Sequence, residues 1–346
     1  MRTEILPADD AALERAAHVI RAGGLVAFPT ETVYGLGADA LNPDAVRKIF
    51  IAKERPSDDP LIVHIASVEQ LSLLVRYIPP KAHTLTERFW PGPLTLVLPK
   101  AERVPAVTTG GLDTVAVRAP AHPVARALIE RSGCPIAAPS ANRFGRPSPT
   151  TASHVWEDLH GRIDLILDGG PTPIGVESTV LDLTQEPPMI LRPGGVTLEE
   201  LQEILGEVRV LGSSLSEAAK RSPGTRWRHY APRAKLILAE PEELEQIVRD
   251  LLKGGQRVGL MVVGPHPALR APLSRSYGRG AGGEGLVTVV MPADMNEYAR
   301  RLFAALRELD ARGVEVIVVE KLEERGLGRA IMDRLRRASL DEQFFV

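Results

Sequence analysis

Apolar and polar positions alternate in two rhythms along nearly the whole chain. Asp9 to Ala22 carries an apolar stripe at helical spacing and stops at Gly23-Gly24; the continuous apolar run LVAFP (25–29) follows as a buried strand. Asn42 has the position of an N-cap with Pro43 at the first helical residue, which predicts a helix to about Lys53. LIVHIA (61–66) and LTLVL (94–98) are short unbroken apolar runs, the pattern of strands covered on both faces. TVAVRAP, PIAAPS, DLILDGG and STVLDL continue the series, and TLEELQEILG (197–206) is a capped helix that closes it. The alternation predicts an α/β domain over 1–211.

The rhythm breaks in GSSLSEAAKRSPGTRWRHYAPRAK. Residues 212–234 are predicted to be an interdomain linker. A passive tether accounts for its Ser, Gly and Pro but not for Trp227, His229 and Tyr230, since aromatic side chains pack on something. From Lys235 a second alternation begins: KLILAE, a helix, RVGLMVVG, LVTVVM, a long helix from about Ala293 to Arg312, VEVIVVEKL and a last helix near 328–339. That predicts a smaller, Rossmann-like α/β domain over 235–346.

At 346 residues the chain is too long for one ordinary core. Its 44% hydrophobic and 25% charged content is that of a soluble globular protein, and no apolar run approaches the ~20 residues that span a bilayer. The N-terminal stretch has acidic residues where a signal peptide would have an apolar core, and the single cysteine, Cys134, fits a reducing compartment. The expectation is a cytoplasmic protein with no membrane association. Net charge is 42 − 44 = −2, which argues against a surface built wholly to grip a polyanion but leaves room for a local basic patch.

Several familiar catalytic patterns fail. Gly278, Gly280 and Gly283 satisfy G-x-G-x-x-G, but polar residues precede them and a strand follows, the reverse of a dinucleotide fingerprint. No lysine is followed by Ser or Thr, so there is no Walker A loop, and H-E-x-x-H and G-x-S-x-G are absent. Cys134, in the apolar run CPIAAP, reads as an inert thiol.

Four polar segments remain. PTETVYGLG (29–37) follows a buried strand and suits either a ligand loop or a turn with capping hydroxyls. Lys53-Glu54-Arg55 ends a helix. The helix dipole explains cations there without a ligand, while a point charge beside a planar fork suits a polyphosphate. Lysine is scarce in this chain, 8 against 34 arginines. PSANRFGRPSPT (139–150) is a polar turn or a phosphate-binding loop, with Ser140 and Asn142 as donors. GVESTV (175–180) and ILRPGG (190–195) complete the set, with Arg192 leaving a strand before a Gly-Gly turn. His64 and Arg118 lie within strand-like runs. A buried arginine needs an anionic partner, and Arg118 has none nearby in sequence.

In order, PTETVYGLG, KERPxxxPLIVHI, FWPGPLTLVL, VAVRAP, PSANRFGRPSPT, GVESTV and LRPGG closely resemble the YrdC-like threonylcarbamoyl-AMP synthase family over roughly residues 10–210. SPGTRWRHYAP and the second α/β segment resemble that family's longer, two-domain form, although Thr225, Arg226 and Trp227 depart from its usual linker residues. The resemblance implies a twisted open α/β sheet for the first domain. It also implies synthesis of L-threonylcarbamoyl-adenylate and pyrophosphate from L-threonine, bicarbonate and ATP, for the N6-threonylcarbamoyl group on adenosine 37 of tRNA. It places L-threonine against Thr32, His64, Arg118, the backbone near Ala138, and Ser178. It places ATP against Lys53, Arg55, Asp59, Thr114, Ser140, Asn142, Ser148 and Arg192, with Tyr230 of the linker covering the nucleotide. Mg²⁺ is expected to arrive with ATP, with no protein metal site. The implied partners are the machinery that transfers the group to tRNA and, through a basic patch, tRNA itself. Two other functions fit the polar segments alone: a module binding duplex RNA or tRNA, and a nucleotide-binding regulator without turnover.

Overall fold

Local chemistry sets the first helices. Helix α1 (Asp10–Arg21) begins where the Asp9 carboxylate accepts from Ala12 N–H, and α2 (Pro43–Lys53) where Asn42 accepts from the Asp44 and Ala45 N–H groups. The α2 boundaries are those the sequence predicts. The helix Leu198–Leu205 opens with a complete Thr197/Glu200 capping box.

The computed structural model describes residues 2–212, 217–224, 229–264 and 285–339. Cα proximity divides the chain into one unit of Met1–Phe144 with Ser148–Arg226 and another of Gly145–Pro147 with Trp227–Val346. The 217–224 stretch of the expected linker thus clusters with the first unit, where Arg221 pairs with buried Asp182 at 2.9 Å. Thr225, Arg226 and Trp227 lie outside the described residues, as do Gly278, Gly280 and Gly283. No described helix is long and apolar enough to cross a membrane.

The first unit holds strands β1 (Glu4–Pro7), β2 (Val26–Pro29), β3 (Tyr34–Asp39), β4 (Ile62–His64), β5 (Leu94–Pro99), β6 (Thr114–Arg118), β7 (Ile136–Ala137), β8 (Leu165–Asp168), β9 (Thr179–Asp182), β10 (Met189–Arg192) and β11 (Arg209–Val210). They form one mixed sheet in the order β1-β8-β2-β3-β7-β4-β6-β5-β9-β10-β11. Alternate residues of β2 enter different cores: Ala27 joins Leu36, Ile49 and Val63, while Val26 and Phe28 join Ala16, Ile20 and Leu128. Burial on both faces explains the unbroken apolar runs.

The second half of PTETVYGLG is a strand, not only a loop. β3 pairs antiparallel with β2, Pro29 opposite Tyr34 and Val26 opposite Gly37. A Cβ on Gly37 would lie 2.7 Å from Phe28 and 2.8 Å from Ile136, so the glycine admits those side chains.

The second unit carries β12 (Lys235–Ala239), β13 (Val258–Val263), β14 (Leu286–Met291) and β15 (Val316–Glu320), all parallel, in the order β12-β15-β13-β14. Its alternation with helices is as predicted. The insertion of the last strand between the first two is tertiary information that periodicity does not carry.

Candidate functional site

The K-E-R segment divides its charges by backbone geometry. Glu54 takes the left-handed conformation (φ 57°), and Glu54 and Arg55 donate back to Ile51 and Phe50 carbonyls, a Schellman-type stop. Glu54 therefore turns outward to Arg143 and Arg162, at 2.5 and 2.8 Å, which hold its carboxyl below the usual range. Lys53 and Arg55 turn inward and are buried.

Lys53 Nζ donates to the carbonyls of Ser140 and Asn142, both at 2.5 Å. Among the described residues no carboxylate lies within ion-pair distance of it. Burial, then the neighbouring Arg55, hold its pKa well below that of an ordinary lysine, outweighing the more distant Asp158 and Asp59. An ammonium has three protons, and carbonyls take two. Arg55 is different: it pairs with fully buried Asp59 at 2.9 Å and donates to the Pro60 carbonyl. Asp59 is thus the counter-charge to Arg55, which accounts for an acid at that position.

The partner that Arg118 lacked in sequence is Glu31, at 2.7 Å, both side chains buried. The Glu31 carboxylate also accepts from Ala121 N–H, and Arg118 donates to Thr32 Oγ1 at 3.0 Å. Sequence reasoning missed Glu31. Its only signal was an acid within the hydroxyl-rich hairpin turn. His64 lies directly beside Arg118 across β4 and β6, with Ile136 opposite it on β7. The Ala138 N–H is already given to the Ile62 carbonyl, so a ligand near Ala138 meets its carbonyl.

Burial, with Arg118 nearby, pushes the His64 imidazole down to about 3, so it is neutral at neutral pH. Because the folded value lies below the ordinary 6.5, unfolding gains a proton there and stability falls as pH drops below 6.5, levelling off near 3. His64 alone should cost about 2 kcal/mol between pH 7 and pH 5 by this linkage. Urea denaturation of wild type and His64→Gln checks this; equal pH slopes in the two proteins would contradict it.

Loop 172–178 joins these groups. Ile174 and Gly175 donate to the carbonyls of Glu31 and Thr32. Ser148 donates to the buried Glu177 carboxylate at 2.5 Å. Ser178 Oγ meets Thr95 Oγ1 at 2.8 Å, and Arg192 donates to the Ser178 carbonyl (3.0 Å) and Oγ (3.3 Å). A Cβ on Gly194 would lie 2.3 Å from the Ser178 carbonyl carbon, so this close approach requires glycine. Ser178, expected to touch threonine, and Arg192, expected to touch ATP, are therefore in direct contact.

Two expected residues stand apart from these contacts. Thr114 opens β6 opposite Pro99, at the other end of that strand from Arg118. Tyr230 belongs to the second unit, where it is buried with φ 63°, stacks on Phe303 at 5.6 Å and lies beneath Arg334. Asn142 is fully buried and donates to its neighbour's carbonyl; Ser140 is half-buried. Burial and nearby Asp39 push the half-buried Cys134 thiol up to about 12, which leaves it unreactive. Among the described residues no three His, Cys, Asp or Glu side chains gather as a metal cage would.

The arrangement supplies buried cations, hydroxyls and carbonyls in a water-poor setting, suited to holding an anion and a small polar molecule side by side. A family model described as telomere recombination (Sua5, YciO and YrdC) matches residues 18–194, and one described as threonylcarbamoyl-AMP synthase, C-terminal domain, matches residues 196–339. The threonylcarbamoyl-AMP synthase of Pyrococcus abyssi is 52% identical, over 94% of this chain and 93% of its own. That of Bacillus subtilis is 47% identical, over 97% and 95%. The crystal structure of P. abyssi Sua5 complexed with L-threonine superposes with a TM-score of 0.87 at 50% identity, covering 98% of this chain and 97% of that one.

Proposed function

The chain belongs to the Sua5/YrdC family of threonylcarbamoyl-AMP synthases, and on that premise we propose that it condenses L-threonine, bicarbonate and ATP into threonylcarbamoyl-AMP and pyrophosphate. The threonine amine and CO₂ form a carbamate, whose oxygen attacks the α-phosphorus as pyrophosphate leaves. Such a transfer depends on positioning and on stabilising charge at phosphorus and the leaving group more than on a protein acid or base. Mg²⁺ enters as part of the MgATP substrate.

The observation that carries this reading is Lys53. It is a fully buried ammonium with two protons on carbonyls and no carboxylate in ion-pair reach among the described residues. A phosphate oxygen would supply the counter-charge that burial withholds. In this reading Arg55, Ser140, Asn142, Ser148, Arg192 and Thr114 line the nucleotide. Thr32, His64, Arg118, the Ala138 carbonyl and Ser178 take L-threonine. The product would be the activated donor for threonylcarbamoylation of adenosine 37 in tRNA, passed to a separate transfer machinery.

Pyrophosphate release measured with each substrate omitted in turn tests the reaction. Release is expected only with ATP, threonine and bicarbonate all present. Release indifferent to threonine and bicarbonate, or none, would leave a nucleotide-binding regulator or an RNA-binding module instead.

A further inference from the structure

Residues 217–224, part of the stretch expected to be a linker, are pinned to the first unit by an ion pair that has no role in the site so far. A short 3₁₀ turn, Glu217–Arg221, packs Ala218 against Ile62, Val97, Ala116, Val180 and Leu191, and Ala219 is buried. Asp182, the last residue of β9, is fully buried. Its Oδ1 accepts from the N–H and the hydroxyl of Thr184, at 2.9 and 2.6 Å. Its Oδ2 accepts from Gln185 at 3.4 Å and from Arg221 at 2.9 Å. Among the described residues Arg221 is the one cation within ion-pair distance of this carboxylate. The neutral donors ease its burial but leave its charge, so lifting Arg221 away strands an anion in the interior.

Two residues beyond Arg221, the pinned chain meets the proposed nucleotide site. Arg192 is gripped from two sides. Its Nε and Nη2 donate to the Ser178 carbonyl, at 3.3 and 3.0 Å, and its Nη1 donates to the Pro223 carbonyl at 3.3 Å. Pro223 follows directly on the anchored turn, where Ser222 N–H donates back to the Ala219 carbonyl. Strand β9 governs both grips: Ser178 precedes its first residue, and Asp182 is its last.

We propose that Asp182 and Arg221 are positioning residues for the synthase reaction, which hold the Pro223 carbonyl against Arg192 and so orient its guanidinium for the nucleotide phosphates. This rests on the assignment of Arg192 to ATP made above. A guanidinium already fixed on both edges loses less freedom on meeting a phosphate than one held on a single edge, and the difference appears as affinity. Without Pro223 in place, Arg192 keeps its charge but loses the direction of its planar fork.

Calorimetric titration of MgATP, and separately of L-threonine, into the full-length protein tests this. Arg221→Met should weaken ATP binding about fivefold, the scale of one net hydrogen bond, and leave threonine affinity within about twofold of wild type. Arg221 reaches Asp182 and Thr184 through a single nitrogen, Nη1, so Arg221→Lys should keep ATP affinity within about twofold. The double variant Arg221→Met/Asp182→Asn separates positioning from stability. Neither charge is stranded in it, so its urea midpoint should return close to wild type, while ATP affinity stays about fivefold down. The double variant also makes the comparison if Arg221→Met does not fold. ATP affinity that recovers with stability, that falls no more than threonine affinity, or that never falls, overturns the proposal. Arg192→Met with wild-type ATP affinity refutes the nucleotide assignment itself, and this proposal with it.

Discussion

Lys53→Met is expected to reduce synthase turnover by about 10²–10³-fold while leaving the protein folded. The methionine matches the lysine in length and removes a charge that the interior holds at a cost, as its lowered pKa shows. Replacing a buried charge by an apolar group of similar size is often neutral or stabilising. Against this, the Ser140 and Asn142 carbonyls lose a donor, at about 1–3 kcal/mol each if water cannot replace it. The opposing terms should leave the unfolding free energy within about 2 kcal/mol of wild type. Activity, by contrast, would lose the ammonium proposed to meet the phosphates. A second signature follows from the same chemistry. A phosphate held by Lys53 would raise its depressed pKa, so on the proposed reading ATP binding should take up protons at alkaline pH in wild type and not in Lys53→Met. Binding enthalpies in buffers of different ionisation enthalpy report that uptake. A Lys53→Met variant with wild-type kcat would remove the lysine from the site.

Arg118→Ala should destabilise the first unit by about 3–5 kcal/mol, because it leaves the Glu31 carboxylate buried without its counter-charge. Threonine binding should disappear with it. Glu31→Gln alone should also destabilise, since Arg118 then lacks its anion. The double variant Arg118→Met/Glu31→Gln should recover most of the lost stability, as neither charge is left stranded, yet still not bind threonine. Urea unfolding and calorimetry of the four proteins separate these effects. Additive losses in the double variant, or a stable Arg118→Ala that binds threonine, would mean that the pair is not coupled as its 2.7 Å contact indicates.

Features of the sequence that depend on neighbours along the chain were legible in advance. Asn42-Pro43 marked the start of α2 because capping chemistry is local, and Thr197 with Glu200 did the same for the later helix. Strands buried on both faces announced themselves as apolar runs. The partner of Arg118 was hidden, because Glu31 reaches it only when the β2–β3 turn comes beside β6. β3 was hidden because its segment offers a hydroxyl-rich turn and no unbroken apolar run, the Gly37 position being left bare for Phe28 and Ile136. The K-E-R segment shows both limits. Cations at a helix end were visible, but only the left-handed Glu54 explains why two charges turn inward and the one between them turns out.

The most direct measurement of the central claim is incorporation of ¹⁴C from bicarbonate by the purified protein supplied with ATP and L-threonine. A single labelled product is predicted, containing threonine, the labelled carbon and AMP, formed in step with pyrophosphate and absent when threonine is withheld. ATP and threonine both bound, with no label entering any adenylate, would contradict the account.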